Sequence, residues 1–234
     1  AAKPHLLRVV GPNTLGIITP GHALNASFSH LDAKPGHLAF VTQSGAIVTS
    51  VIDWAAPRGI GFSHLVSLGG MADVDFGDML DYLASDPETR AILLHIEGIR
   101  HARKFLSAAR AAARMKPVIV VKSGRFPGSA QAAASHSGAL AGADDVYDAA
   151  FRRAGMLRVD DLQELFAAVE TLADLQAPAG PRLGIVSNGG GIGVMAVDAL
   201  LARGGELAEL SPESISALDA VLPPTWSKRN PVDI

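Results

Sequence analysis

Short apolar runs alternate with longer stretches in which apolar residues recur at helical spacing. The runs predict buried strands over residues 38–41, 64–68, 91–96 and 118–121. The longer stretches predict helices over residues 47–55, 76–84, 101–115, 144–154 and 162–175. Because strands and helices alternate at the spacing of βαβ units, we predict an α/β fold with a parallel sheet flanked by helices.

The two ends of the chain interrupt this pattern. Residues 6–10 predict a short strand followed by turns and a polar stretch, so we expect residues 1–35 to be the end of an upstream domain and a linker. Residues 36–176 form the main predicted domain. A strand at 183–187, a glycine loop at 188–193 and a helix at 194–202 predict the truncated start of a second α/β domain over residues 177–234.

Composition excludes several classes of protein. The chain has 234 residues, of which 48% are hydrophobic and 18% charged, which excludes a disordered chain. The net charge is −3 with scattered Lys and Arg, so no nucleic-acid partner is expected. No apolar run approaches the roughly 18 residues of a membrane span, so no membrane partner is expected. Cysteine is absent, which favours a cytoplasmic protein without disulfides.

The candidate catalytic residue is His136, in the loop Ser135-His136-Ser137-Gly138. Its small neighbours let a ligand approach the imidazole closely. An imidazole can carry a proton or a phosphoryl group near neutral pH. The same residues also fit a histidine that only caps the next helix, and this stretch alone leaves both interpretations open.

Glu97 follows a predicted central strand directly, at the edge where open α/β sheets bind ligands. The alternative is an ordinary ion pair with Arg100 or Arg103. His136 and Glu97 therefore both lie beyond the carboxyl ends of predicted strands.

Two predicted helix starts are rich in small residues, which leaves backbone N–H groups free for an anion. They are Ser44-Gly45 and Asn188-Gly189-Gly190. The glycine spacing fits neither a dinucleotide fold nor a P-loop. An ordinary strand-to-helix turn with Ser44 as N-cap explains the first start equally well.

Other polar residues are assigned structural roles. Asp73, Asp75 and Asp78 lack the distal glutamate of a calcium loop, so they predict a helix N-cap and no metal site. His95 and His101 have no partner pattern and are predicted to be structural.

Several segments in chain order carry a resemblance to a known family. They are Gly11-Pro12-Asn13, Ser44-Gly45, Leu94-His95-Ile96-Glu97-Gly98, Lys122-Ser123-Gly124-Arg125, the motif from Ser135 to Gly142, Asn188-Gly189-Gly190-Gly191 and Asn230-Pro231-Val232-Asp233. This ordered set resembles the NDP-forming acyl-CoA synthetase superfamily, which includes succinyl-CoA synthetase and ADP-forming acetate–CoA ligases. The resemblance implies a flavodoxin-like, succinyl-CoA synthetase-like domain.

The resemblance also implies a reaction and roles for the candidate residues. Acyl-CoA and phosphate would give an acyl phosphate, whose phosphoryl group would pass to His136 and then to ADP or GDP. Glu97 would accept a hydrogen bond from the second imidazole nitrogen. Ser44 and Gly45 at one helix start, with Asn188, Gly189 and Gly190 at the other, would converge on the phosphate.

Partners and cofactors follow from the same resemblance. CoA and ADP or ATP would be substrates, supplied by CoA-binding and ATP-grasp domains in the same chain or another subunit of an oligomer. Mg²⁺ is expected at the nucleotide site, outside this chain, and a fragment of this size is expected to be inactive alone. Gly69-Gly70 stands where many acetate-type members carry Gly-Asn, so the acyl group stays open.

Two other functions are alternatives to an acyl-CoA synthetase. The segments Leu24 to Ser29, Asp53-Trp54 and Asp81-Tyr82-Leu83 are similar to a bacterial branch fused to a GNAT lysine acetyltransferase, in which such a region can sense acyl-CoA and regulate. A third interpretation is a flavodoxin-like domain that serves only for contact between subunits. It would leave unexplained why Ser44, Glu97, His136 and Asn188 are expected at one site.

Overall fold

The structure is a computed structural model that describes residues 3–126, 128–129, 143–174 and 180–234. The chain divides into two compact units, residues 1–175 and 176–234, which are described separately. In the described ranges, no helix combines the length and the apolar character needed to cross a membrane.

The described part of the first unit is built on a seven-stranded sheet with helices on both faces. Its strands are β1 (Gly16–Thr19), β2 (Leu24–Ser27), β3 (Pro35–Thr42), β4 (Phe62–Ser67), β5 (Ala91–Ile96), β6 (Val118–Lys122) and β7 (Leu157–Val159). Its helices are α1 (Gly45–Ala55), α2 (Phe76–Ser85), α3 (Ala102–Met115), α4 (Asp144–Ala154) and α5 (Leu162–Asp174).

The strand order is β2-β1-β4-β3-β5-β6-β7. The five strands β4, β3, β5, β6 and β7 are parallel to one another. Read along the chain, the parallel strands follow the 2-1-3-4-5 order of flavodoxin-like sheets. The direction of winding reverses between β3 and β5, so the loops after these two strands diverge and leave a crevice at their carboxyl ends. The predicted α/β fold with a parallel sheet is confirmed.

An antiparallel hairpin extends the sheet beyond β4. β1 pairs with β2 and with β4, both antiparallel. The end-of-domain and linker segment expected over residues 1–35 therefore supplies two strands to the main sheet, and the boundary expected after residue 35 falls inside one compact unit. β2 escaped the sequence pattern because it is short and its residues are mostly exposed.

The strand predicted over residues 6–10 is wrong. Leu6 and Leu7 are mostly exposed, so no sheet covers this apolar run. The backbone of residues 9–12 instead bonds to the loop after β4. Val74, Ala72 and Gly70 donate their amides to the carbonyl oxygens of residues 9, 11 and 12 over 3.1, 2.8 and 2.7 Å.

Two apolar layers enclose the sheet. On one face, Val41 and its neighbours pack with α2, α3 and α4 around Phe105. On the other face, Phe40 packs with α1 and α5 around Leu165. β4, β5 and β6 are buried along their whole length, as expected of central parallel strands covered on both faces.

The second unit contains short parallel strand pairs and two helices among its described residues. The strands are β8 (Arg182–Leu183), β9 (Val186–Ser187), β10 (Glu206–Leu207) and β11 (Val232–Asp233), and the helices are α6 (Gly190–Ala202) and α7 (Pro212–Asp219). The single strand predicted over residues 183–187 is divided in two, because the side chain of Asn230 bonds the amide of Ile185 and the carbonyl oxygen of Leu183. The predicted glycine loop is also shorter, since α6 begins at Gly190.

Asp75 is the N-cap of α2, as the sequence predicts. Its carboxylate accepts from the backbone amides of Gly77 and Asp78, and the Asp78 side chain accepts from the Asp75 amide, which completes a capping box. Asp75 also binds His101 at 2.8 Å and Lys104 at 3.0 Å. His101 thus has a partner that the sequence did not indicate.

Replacing Asp75 with alanine is expected to lower the free energy of unfolding by about 2 kcal/mol, because the helix cap, His101 and Lys104 all lose one buried carboxylate. Urea unfolding of the purified protein measures the change. Asp81→Ala, on the exposed side of α2, is the matched control and should change it by less than about 0.5 kcal/mol. Equal effects of the two variants would contradict the capping role.

Candidate active site

A crevice lies where the winding of the sheet reverses, at the carboxyl ends of β3, β4 and β5. Its cavity measures about 360 Å³ and is lined by residues 13–15, 28, 43–46, 69–70 and 97. Ser44, Gly45 and Glu97, predicted separately from the sequence, therefore line one cavity.

Glu97 lines this crevice and is 8% exposed. Its amide and that of Gly98 donate to the side-chain oxygen of Gln43 over 2.7 and 2.9 Å, which joins the ends of β3 and β5. The Oε2 atom of Glu97 is buried, and none of the residues that the structure describes forms a hydrogen bond with it. In the part of the chain that the structure describes, no ion pair links Glu97 to Arg100 or Arg103, the alternative considered from the sequence.

The start of α1 also lines the crevice. Ser44 occupies the N-cap position, but its side chain makes no capping bond. Its amide donates to Thr42 Oγ1 over 3.0 Å. The first amides of a helix have no partner within the helix, and the helix dipole makes this end favourable for an anion. The wall thus has the character of an anion site.

His95 connects three strand ends beside the crevice. Its Nδ1 lies 2.9 Å from Thr42 Oγ1 and its Nε2 lies 2.6 Å from Ser123 Oγ. Burial lowers the pKa of His95 to about 4, and the charge of Lys122 acts in the same direction. The sequence offered one signal for this role, a polar residue near the end of an otherwise apolar strand.

Lys122 ends β6, the strand next to β5, and is only 2% exposed. Its ammonium donates to the carbonyl oxygen of Ser123 and lies 4.7 Å from the centre of the Tyr147 ring. Burial lowers the pKa of Lys122, while Asp144 and Glu97 act in the opposite direction. A buried positive charge therefore lies within electrostatic range of the Glu97 carboxylate.

The sequence matches a family model described as a succinyl-CoA ligase-like flavodoxin domain over residues 35–172, more than half of the chain. The chain belongs to this family. The described geometry agrees with the match, since the parallel strands of the domain have the flavodoxin-like order.

Relatives of this succinyl-CoA ligase-like domain are named as ligases. The chain is 41% identical to the alpha subunit of acetate–CoA ligase [ADP-forming] I from Pyrococcus furiosus, over 100% of this chain and 50% of the relative. It is 38% identical to 4-hydroxybutyrate–CoA ligase [ADP-forming] from Nitrosopumilus maritimus, over 100% of this chain and 34% of the relative. The chain thus spans half or less of the length of these relatives.

A solved structure has the same fold. It is the dinucleotide-forming acetyl-coenzyme A synthetase 1 of Ca. Korarchaeum cryptofilum in complex with phosphate and ADP. The TM-score is 0.90 at 36% identity, and the match covers 99% of this chain and 50% of that one.

The remaining predicted site residues are in other parts of the chain. His136 and its motif lie outside the described residues. Asn188, Gly189 and Gly190 belong to the second unit, where Gly189 is the N-cap of α6 and its amide donates to Ser187 Oγ over 3.0 Å. A side chain at Gly190 would come within 2.8 Å of the Asp233 carboxylate, so this helix start already has an acidic neighbour.

Larger cavities lie elsewhere in the first unit. Two, of about 590 and 410 Å³, lie at the opposite edge of the sheet around the first residues of β3, and one of about 420 Å³ is lined by residues of α3 and α4. The smaller crevice is the candidate site because open α/β sheets bind ligands at the carboxyl ends of their strands. Among the described residues, no group of three or more His, Asp or Glu side chains could hold a metal ion.

The low pKa of His95 predicts a pH dependence of stability. An exposed histidine in the unfolded chain has a pKa near 6.5, so protonation favours unfolding. The stabilisation is complete above about pH 6.5 and is lost as the pH falls to 4 and below, by about 3 kcal/mol at 1.36 kcal/mol per pKa unit. Urea unfolding between these pH values measures the slope.

His95→Gln keeps polar atoms near Thr42 and Ser123 but does not titrate in this range, so its slope should be shallower than that of the wild type. The control is His30→Gln, at an exposed histidine, which should keep the wild-type slope. Identical slopes for wild type and His95→Gln would show that His95 does not titrate between the two states.

Proposed function

We propose that this chain is the phosphohistidine-bearing part of an ADP-forming acyl-CoA synthetase, with His136 as the carrier of the phosphoryl group. The full protein would interconvert acyl-CoA, ADP and phosphate with a carboxylic acid, ATP and CoA. The motif around His136 and the family membership support the proposal.

The observation that carries the proposal is the buried Oε2 atom of Glu97, which has no hydrogen-bond partner within the described ranges. A buried carboxylate oxygen without a hydrogen bond is costly, and an imidazole N–H is a suitable partner for it. An imidazole oriented by Glu97 would expose its other nitrogen as the nucleophile, and the carboxylate would stabilise the positive charge that develops on the ring.

The helix start at Ser44-Gly45 would bind the phosphate. Its free amides and the dipole of α1 offset negative charge, which supports this role. Asn188, Gly189 and Gly190 would supply a second set of amides, although the Asp233 carboxylate near this start would first need to turn away or be neutralised.

The steps then balance as follows. A phosphate oxygen attacks the thioester carbonyl, and the thiolate of CoA leaves. A nitrogen of His136 attacks the phosphorus of the acyl phosphate, and the carboxylate leaves. The terminal oxygen of ADP then takes the phosphoryl group from the histidine, which gives ATP and the free imidazole.

The rest of the enzyme is part of the proposal. CoA-binding and ATP-grasp domains, in the same chain or in a partner subunit of an oligomer, would bind CoA and ADP or ATP, with Mg²⁺ at the nucleotide site outside this chain. Residues 177–234 would begin a second α/β ligase domain, and the protein would work in the cytoplasm. This chain alone would not complete a reaction cycle.

The test is the chemical nature of the phosphoprotein. The full-length protein is incubated with acetyl-CoA and radiolabelled phosphate, or with γ-labelled ATP, and the label is examined in acid and alkali. A label that is lost in acid, survives alkali and maps to the peptide containing residues 135–142 supports the proposal. An acid-stable label contradicts it. No label, with acyl-CoA still bound, would favour the regulatory, acyl-CoA-sensing role.

A further inference from the structure

A chain of hydrogen bonds joins the ends of three neighbouring strands. Ser123 Oγ, directly after β6, lies 2.6 Å from Nε2 of His95 near the end of β5. Nδ1 of His95 lies 2.9 Å from Oγ1 of Thr42, the last residue of β3. Thr42 Oγ1 is in turn 3.0 Å from the amide nitrogen of Ser44, the N-cap residue of α1. The chain of hydrogen bonds therefore ends at a residue that lines the crevice.

The donors and acceptors of this chain have one consistent direction. The Ser44 amide can only donate, so Thr42 Oγ1 accepts from it. Thr42 is fully buried, and within the described ranges the acceptor in reach of its own hydroxyl proton is His95 Nδ1. Burial lowers the pKa of His95 to about 4, so the ring is neutral near pH 7 and carries its single proton on Nε2. Nε2 then donates to Ser123 Oγ.

The Thr42 hydroxyl fixes the backbone that leads into α1. A threonine oxygen that accepts from the amide two residues later forms a turn, which here directs the chain from β3 into the helix. The Ser44 side chain makes no capping bond, and Gly45 and Ala46 line the crevice beside it. The geometry of this anion-binding helix start thus depends on the Thr42 hydroxyl, which His95 orients.

We infer that His95 is a positioning residue for phosphate: its Nδ1 atom holds the Thr42 hydroxyl as the acceptor for the Ser44 amide, and this fixes the helix start that binds phosphate. The inference rests on the proposed function, which assigns phosphate to that helix start. Without His95, the buried Thr42 hydroxyl would have to turn to another acceptor, and the Ser44 amide would lose its fixed partner. His95 takes no part in the chemical steps.

Two substitutions of His95 separate this role from packing. Asparagine places its side-chain oxygen near the position of Nδ1, beside Thr42, whereas glutamine reaches the position of Nε2, beside Ser123. In the full-length protein, ATP formation from acetyl-CoA and ADP is measured at varied phosphate. His95→Gln should raise KM for phosphate about tenfold and His95→Asn about threefold or less, with KM for acetyl-CoA changed less than about twofold in both. Packing alone predicts the reverse order for phosphate, because asparagine leaves the larger cavity.

Thr42 offers a second, independent pair of variants. Thr42→Val keeps the shape but removes the hydroxyl, and it should raise KM for phosphate as much as His95→Gln. Thr42→Ser keeps the hydroxyl and should stay within about threefold of the wild type, although it leaves a small cavity. Combining Thr42→Val with His95→Gln should add little to either change, because both break the same contact. The control His30→Gln, at an exposed histidine, should match the wild type.

The inference is overturned if KM for phosphate follows side-chain size, with asparagine worse than glutamine and serine worse than valine. It is also overturned if the four single variants leave this KM unchanged. Should a His95 variant fail to fold, the Thr42 pair decides. Absence of an acid-labile phosphoprotein in the wild type would instead reject the proposed function, so the two failures are distinguishable.

Discussion

Replacing His136 with alanine is expected to abolish the phosphoprotein and to reduce ATP formation from acyl-CoA on the order of 10⁴-fold or more. The reason is that the imidazole would be the covalent carrier between acyl phosphate and ADP, and alanine offers no nucleophile. The earlier step does not need the histidine. CoA release from acyl-CoA should therefore still depend on added phosphate, and acyl phosphate should accumulate.

Three measurements on the full-length protein check this expectation: label incorporation, ATP formation and phosphate-dependent release of CoA. The control is His30→Ala, at an exposed histidine outside the crevice, which should retain the label and ATP formation. A similar melting temperature for both variants shows that the fold is intact. Retained label in His136→Ala would mean that another residue carries the phosphoryl group.

Replacing Glu97 with glutamine is expected to slow phosphorylation of the histidine by about 10²-fold or more while leaving the free energy of unfolding unchanged or higher. Glutamine has nearly the same size but no charge, so it cannot stabilise a developing imidazolium. In the described structure, the Glu97 Oε2 atom has no partner to lose. Removing this buried charge relieves its desolvation cost, which offsets the lost attraction to Lys122.

Rapid-quench labelling gives the phosphorylation rate, and urea unfolding gives the stability. Glu97→Asp keeps the charge with a shorter reach and should fall between wild type and Glu97→Gln in rate. Glu209→Gln, at an exposed glutamate of the second unit, is the control for loss of a charge. A large loss of stability in Glu97→Gln, with normal labelling, would instead indicate a structural ion pair.

The central sheet could be predicted from the sequence because its strands are covered on both faces. β5 and β6 are apolar through almost their whole length, and the helices between them show clear periodicity. The edge hairpin could not be predicted in the same way. β1 and β2 are four residues each, and β1 pairs with β4 across a long stretch of sequence.

The site residues next to the parallel strands could likewise be predicted, and those next to the edge hairpin could not. Glu97 and Ser44-Gly45 could be predicted, because they follow strands whose carboxyl ends lie together in any parallel sheet. Phe28 and Leu15 could not, because they reach the crevice through a hairpin whose pairing has no local signature. Gln43 carried a signal that was overlooked: a long polar side chain directly after a buried strand can bind the loop after the neighbouring strand.

The hydrogen bonds between residues 9–12 and residues 70–74 have a mechanical consequence. Three amide–carbonyl bonds join the segment before the first strand to the loop that carries Gly70. Arg8 and the amide of Val9 add two further bonds to Asp73 on that loop. A force on the chain before Arg8 would therefore act directly on the loop of residues 70–74, which lines the crevice through Gly70.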